Sequence, residues 1–199
     1  DHGFFMGMMQ AYADPSGKMS NYEFTKAFHN LNDPENVTVE SAGQRSNIFS
    51  SILAAAIIDP YPLWHPKVIK AYFNNHTQFA LRAFDDHIHK SAWADVARAA
   101  EEHNNPGTFT TFLGYEYTTS SDVEGGNLHR NVIFNSSKGP IRPWTRIDSI
   151  NPEDLWTWQD NLRAKGVDSV AIPHNSNGSN GQMFEVESFY GEALDREYA

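Results

Sequence analysis

The sequence predicts an α/β fold built from parallel β/α units, on three observations. Apolar residues recur at spacings of three and four through most of the first half, the period of amphipathic helices. Short stretches rich in Thr, Val, Ile and aromatic residues, the composition of strands, begin at Thr108. Polar side chains able to do chemistry stand at the ends of those stretches, where parallel β/α folds gather their active sites.

In chain order, Asp1-His2-Gly3-Phe4-Phe5-Met6 reads as the end of a strand, so further chain is expected upstream and also beyond Ala199. Ser20 with Glu23 forms a capping-box pattern ahead of Phe24, Ala27, Phe28 and Leu31. Val39 to Ile58 has helical spacing and stops at Asp59-Pro60. His65-Pro66 opens another helix, with Val68, Ile69, Tyr72, Phe73, Phe79, Ala80 and Phe84 on its apolar face. Trp93 to His103 continues the pattern and ends at Asn104-Asn105-Pro106-Gly107. Thr108 to Thr118 and Asn131 to Phe134 read as strands. Asn151-Pro152-Glu153-Asp154 supplies a cap, a first-turn proline and two acids to a helix running through Trp156, Trp158 and Leu162 to Gly166. Ser169 to Pro173 is an apolar strand delivering His174, and Phe184 to Phe189 reads as one more strand.

Composition narrows the chemistry. With 199 residues, 40% of them hydrophobic, the chain suits one domain with a sizeable core. A net charge of -10 with no Lys/Arg cluster argues against nucleic acid as a partner. No apolar run approaches the roughly 20 residues of a membrane span. There is no cysteine, so thiol nucleophiles and thiolate ligands are excluded. Any metal must bind His nitrogen and carboxylate oxygen. The same absence fits cytoplasm and bacterial periplasm alike, and the compartment is left open. No nucleophile elbow, phosphate loop or dinucleotide fingerprint is present.

Four positions stand out as metal ligands. His174 leaves an apolar strand for the Gly/Asn/Ser-rich segment Asn175 to Gly181; the alternative is a turn histidine bonded to nearby backbone. Glu116 sits in a strand of Thr and aromatics, where a carboxylate is costly unless paired or metal-bound. Its alternative is a solvent-facing glutamate, with Tyr115 and Tyr117 pointing inward. His129-Arg130-Asn131 offers a ligand, an anion-binding guanidinium and an orienting amide, although His129 begins its strand where the others end theirs. Asp1-His2 supplies an imidazole with a carboxylate beside it. His87-Ile88-His89 is the competing pair, but near the end of a helical pattern residues two apart diverge by roughly 200°. His29, His65, His76 and His103 read as helix-surface or capping residues.

Asp1-His2, Gly114-Tyr115-Glu116, His129-Arg130-Asn131-Val132 and Ile172-Pro173-His174-Asn175 come in the order found in the PHP (polymerase and histidinol phosphatase) superfamily of metal-dependent phosphoesterases. Asn105-Pro106-Gly107-Thr108-Phe109-Thr110, Leu155-Trp156-Thr157-Trp158 and Asn175-Ser176-Asn177-Gly178-Ser179 resemble a bacterial branch, domain-of-unknown-function family 3604. The resemblance spans nearly the whole chain. It implies part of a distorted (β/α)7 barrel, a single domain over 1–199 incomplete at both ends, with a helical insertion over 15–105. That insertion suits a lid, a wall, an oligomer contact or simple extra packing.

The resemblance further implies two or three divalent ions (zinc, manganese or iron) in the complete protein. Carried over, His2, Glu116, His129 and His174 fall on metal ligands and Asp1 on an acid that accompanies them. The family's opening His-x-His and its closing acidic/His motif would lie outside this chain. The function expected is hydrolysis of a small anionic substrate, a phosphoester, by a metal-activated water, with Arg130 binding the anion. Hydrolysis of another ester or amide, or a silent metal- or ligand-binding module, are the alternatives. Strand edges left unpaired in a partial barrel favour association, as a homo-oligomer, or poor solubility.

Overall fold

The computed structural model describes residues 2–31, 33–57, 84–120 and 126–184, with the backbone alone for 49–57. Asp1, nearly all of the helix expected from His65 and all but the first residue of the strand expected from Phe184 lie outside these residues. Phe184 itself ends a short 3-10 turn, Gln182–Phe184. The chain divides into two compact units, one of Asp1–Phe4 with Ala92–Ala199, the other of Phe5–Ser91.

The Phe5–Ser91 unit is helical. It holds α1 (Met8–Ala13), 3-10 turns at Lys18–Asn21, Glu23–Phe28 and Pro34–Asn36, and α2 (Val39–Ile57). Tyr12 is fully buried and packs against the rings of Phe24 and Phe28. The capping box expected at Ser20 and Glu23 does not form. The Ser20 hydroxyl donates to the Gly17 carbonyl (2.8 Å) and that of Thr25 to Tyr22 (2.7 Å), local bonds that favour tight turns over an α-helix. Thr38 caps α2 instead, its Oγ1 accepting from the Ser41 N–H at 3.1 Å.

Helix α3 (Asp86–Glu102) starts earlier than the apolar spacing from Trp93 suggests. The reason is Asp85, whose Oδ1 accepts from the N–H groups of His87 (3.0 Å) and Ile88 (3.1 Å) and so satisfies two orphan donors. His87-Ile88-His89 therefore lies in the first turn of its own helix, not near the end of one. His89 is buried edge-on against Phe84, with ring centroids 5.2 Å apart.

In the other unit, β1 (Gly114–Tyr117), β2 (Arg130–Phe134) and β3 (Ser169–Pro173) form one sheet in that order. Both pairings are antiparallel, which corrects the expectation of parallel β/α units. The segment after β2 supplies the physical cause. It runs back along the sheet before the next helix begins, pinned by successive bonds to backbone carbonyls. Trp93 Nε1 donates to Pro140, Tyr115 OH to Trp144, Tyr117 OH to Ser149 and Thr119 Oγ1 to Ile150, all at 2.7–2.8 Å. Helix α4 (Pro152–Arg163) then descends and β3 rises beside β2. A single parallel bridge, His2 to Glu116, joins the N-terminal residues to β1, with the Gly3 N–H donating to the Glu116 carbonyl at 2.8 Å. A closed barrel is not formed by the described strands.

One sheet face carries the core. Tyr115, Tyr117, Val132 and Phe134 are buried there with Trp93 and Leu155, and the Trp93 ring meets Tyr115 edge-on at 5.7 Å. Helix α4 forms as its sequence predicts. The Asn151 side chain accepts from the Glu153 N–H at 3.0 Å, and Pro152 occupies the first turn. Gly166, in the left-handed region at φ 83°, closes the other end. Its N–H reaches Arg163 and that of Val167 reaches Leu162, the paired bonds of a Schellman cap.

Candidate metal centre

Side chains alternate along a strand, so register decides what meets what. Glu116 pairs with Asn131, and Asn131 with Ile172, which puts these three on the sheet face opposite the core. His129 shares the parity of Asn131, and His174 that of Ile172. The ladder continues to them through the His174 N–H, which donates to the His129 carbonyl at 2.9 Å. The His2–Glu116 bridge brings His2 to the same place. Because β2 is antiparallel, the start of β2 and the ends of β1 and β3 fall at one edge. His129 opening its strand is therefore what an assembled site requires.

Three imidazoles converge on one carboxylate. Glu116 Oε1 lies 3.0 Å from His129 Nδ1 and 3.4 Å from His2 Nδ1, and Oε2 lies 3.6 Å from His174 Nδ1. Glu116 and His129 are well shielded, with side chains 13% and 14% exposed, whereas His174 is 38% and His2 55% exposed. Thr118, two residues on and of the same parity as Glu116, orders the cluster. Its hydroxyl donates to Glu116 Oε1 at 3.1 Å and meets His2 Nδ1 at 2.7 Å. A hydroxyl has one proton, so with that proton on Glu116 the imidazole must be the donor to Thr118. That tautomer leaves His2 Nε2 with a free lone pair.

Glu116, His129 and His174 form a group that can hold a metal ion, with one ligand atom from each, all within 4.8 Å of one another. The buried Nδ1 atoms of His129 and His174 make no hydrogen bond among the described residues, as expected of nitrogens kept for a cation. Burial holds the His129 imidazole below the ordinary histidine range. Glu116 opposes that shift, and the charges of His2, His174 and Arg146 add to it. A neutral imidazole is the form that ligates. His2 stands beside the triad without completing it.

The backbone around the cluster is drawn tight by a close approach. The Asn127 N–H donates to the Gly178 carbonyl at 2.9 Å, tying the segment before His129 to the one after His174. A Cβ on Gly126 would lie 2.6 Å from the Ser179 carbonyl oxygen, so only glycine fits there. Asn175, left-handed at φ 60°, turns the chain off the strand directly after His174.

Arg130 is placed elsewhere. It shares the core face with Tyr117 and Val132 and is buried, its guanidinium 5.5 Å from the Trp156 ring and donating to the Leu128 carbonyl at 2.6 Å. Two residues near the cluster were not singled out by sequence. Strand parity with Glu116 marks Thr118, whereas nothing local marks Arg146. The surface hollow lined by Phe112, Ile133 and Val170 is at the other strand ends, away from the triad.

A family model described as Protein of unknown function (DUF3604) matches residues 1–199, the full length of the sequence. An α/β domain with a His/His/Glu cluster at one sheet edge is thus the class, and the chain belongs to the DUF3604 family. No curated protein and no solved structure matches it. No described helix is long and apolar enough to cross a membrane.

Proposed function

We propose that this chain is part of a metal-dependent hydrolase of the PHP kind, acting on a phosphoester. One observation carries the reading: two buried imidazole nitrogens without hydrogen-bond partners among the described residues converge with a shielded carboxylate at one sheet edge. The donor set fits zinc, manganese or iron, since it is hard-to-borderline nitrogen and oxygen with no sulfur. Glu116, His129 and His174 would hold the ion, with His2 offering Nε2 to the same ion or a second one. Thr118 fixes both Glu116 and the His2 tautomer, the orienting task that outer-shell groups perform at metal sites. When bound, a divalent ion supplies an acidified water and a Lewis acid for the phosphoryl oxygen. In the same proposal, Asp1 accompanies His2, 15–105 is an insertion in a larger barrel, and the strands described here belong to its wall.

The test is elemental analysis of protein purified without chelators, followed by a panel of phosphate, sulfate and carboxylate esters and amides. Bound divalent ions with phosphoester hydrolysis abolished by chelation and restored by metal are expected. Hydrolysis that survives complete metal removal refutes the proposal. Bound metal with no turnover of any ester or amide favours a silent binding module instead.

A further inference from the structure

Arg146 is a buried charge without a polar partner among the described residues of the sheet unit. It is only 5% exposed, and its Nε and Nη2 are buried with no hydrogen-bond partner among the described residues. Burying a guanidinium with its donors idle is costly, and such a group is expected to be kept for a ligand or paired outright. Its Cζ lies over the Phe4 ring, 5.7 Å from the centroid. A cation–π contact engages the face of the guanidinium and leaves the in-plane Nε and Nη2 donors unused.

The position is built, not incidental. The segment carrying Arg146 is fastened on both sides by the bonds from Tyr115 to Trp144, Tyr117 to Ser149 and Thr119 to Ile150. Within it, Arg142 pairs with Asp148, and Asp148 Oδ2 accepts from the Thr145 N–H at 2.8 Å. Ring contacts connect Arg146 to the cluster. The Phe4 ring that Arg146 covers also lies near the His2 ring, with centroids 5.7 Å apart, and His2 Nδ1 is 3.4 Å from Glu116.

We infer that Arg146, and not Arg130, binds the oxyanion of the substrate beside the metal cluster through its idle Nε and Nη2 donors. This rests on the hydrolase reading for its role but not for its test. Two parallel N–H donors on a rigid fork match two oxygens of a phosphate, and a buried site strengthens each bond. Glu116 holds the cation side and Arg146 the anion side, so the substrate group is fixed between opposite charges.

Inorganic phosphate is the probe, with the full chain in metal-free and metal-loaded forms. In the unsubstituted protein the arginine Nε–H resonances are followed by NMR during the titration, against chloride at equal ionic strength. The Arg146 resonance should move saturably with phosphate and that of Arg130 should stay. Arg146→Met should weaken phosphate binding about 10- to 100-fold, the weight of a charge-assisted hydrogen bond, and Arg146→Lys should weaken it less. Metal content of Arg146→Met should equal that of the unsubstituted chain. If Arg146→Met does not fold, the resonances decide alone. No saturable phosphate binding, a still Arg146 resonance at saturation, or movement of Arg130 in its place overturns the inference. Absence of metal from the protein would instead count against the hydrolase reading, and the Arg146 result would stand separately.

Discussion

Replacing Glu116 with Gln tests the cluster most directly, because it keeps the side chain's size and removes the charge on which three imidazoles converge. Loss of an outer-shell partner at a metal site costs about 10- to 100-fold in affinity, and a direct anionic ligand should cost at least the upper figure. At a metal concentration of about 100 times Kd, the unsubstituted protein gains about 2.7 kcal/mol from binding. For a chain of this size that is a rise of about 5–11 °C in melting temperature. At the same concentration, a variant with Kd about 100-fold weaker gains only about 0.4 kcal/mol, or about 1–2 °C. His174→Ala should behave in the same way. His2→Ala should keep at least half of the rise, because His2 is the most exposed of the four and stands outside the triad. The assay is thermal unfolding by circular dichroism with and without zinc or manganese, with each metal-free melt as the folding control. A full metal-induced rise in Glu116→Gln, or a loss in His2→Ala as large as in His174→Ala, would refute the assignment of the triad.

Two further substitutions probe how the site is held. Gly126→Ala places a Cβ 2.6 Å from the Ser179 carbonyl, so it should cost about 1–3 kcal/mol in chemical denaturation and weaken metal uptake by separating His129 from His174. Asn151→Ala removes the cap of α4 and should cost about 1 kcal/mol in the same denaturation while leaving metal affinity unchanged, since α4 packs on the other sheet face.

Local chemistry was the legible part of this fold. Helix α4 was readable because Asn151, Pro152 and Gly166 each act through their own backbone, and its ends form as those residues dictate. Helix α2 was readable from its apolar period. The start of α3 is invisible to apolar spacing, because its signal is the cap supplied by Asp85. Ser20 misled in the opposite way, since its hydroxyl satisfies a turn carbonyl as readily as a helix N–H. Strand direction was beyond local reading. It depends on the path from Asn135 to Asn151, which is set by bonds from Trp93, Tyr115, Tyr117 and Thr119, all distant in sequence.

The same distinction separates the candidate ligands from the two arginines. A ligand is limited to few residue types, and with cysteine absent the choice fell to His and acidic side chains near strand ends. Arg130 is the neighbour of His129, and because neighbours on a strand face opposite ways its side chain lies on the core face. Arg146 has no strand period or motif to mark it. Its claim comes from idle donors in a buried place, a condition visible only once the chain has folded around it. The anion recognition proposed for Arg146 is therefore a tertiary property, whereas the candidate cation site is largely a property of the strands that carry it.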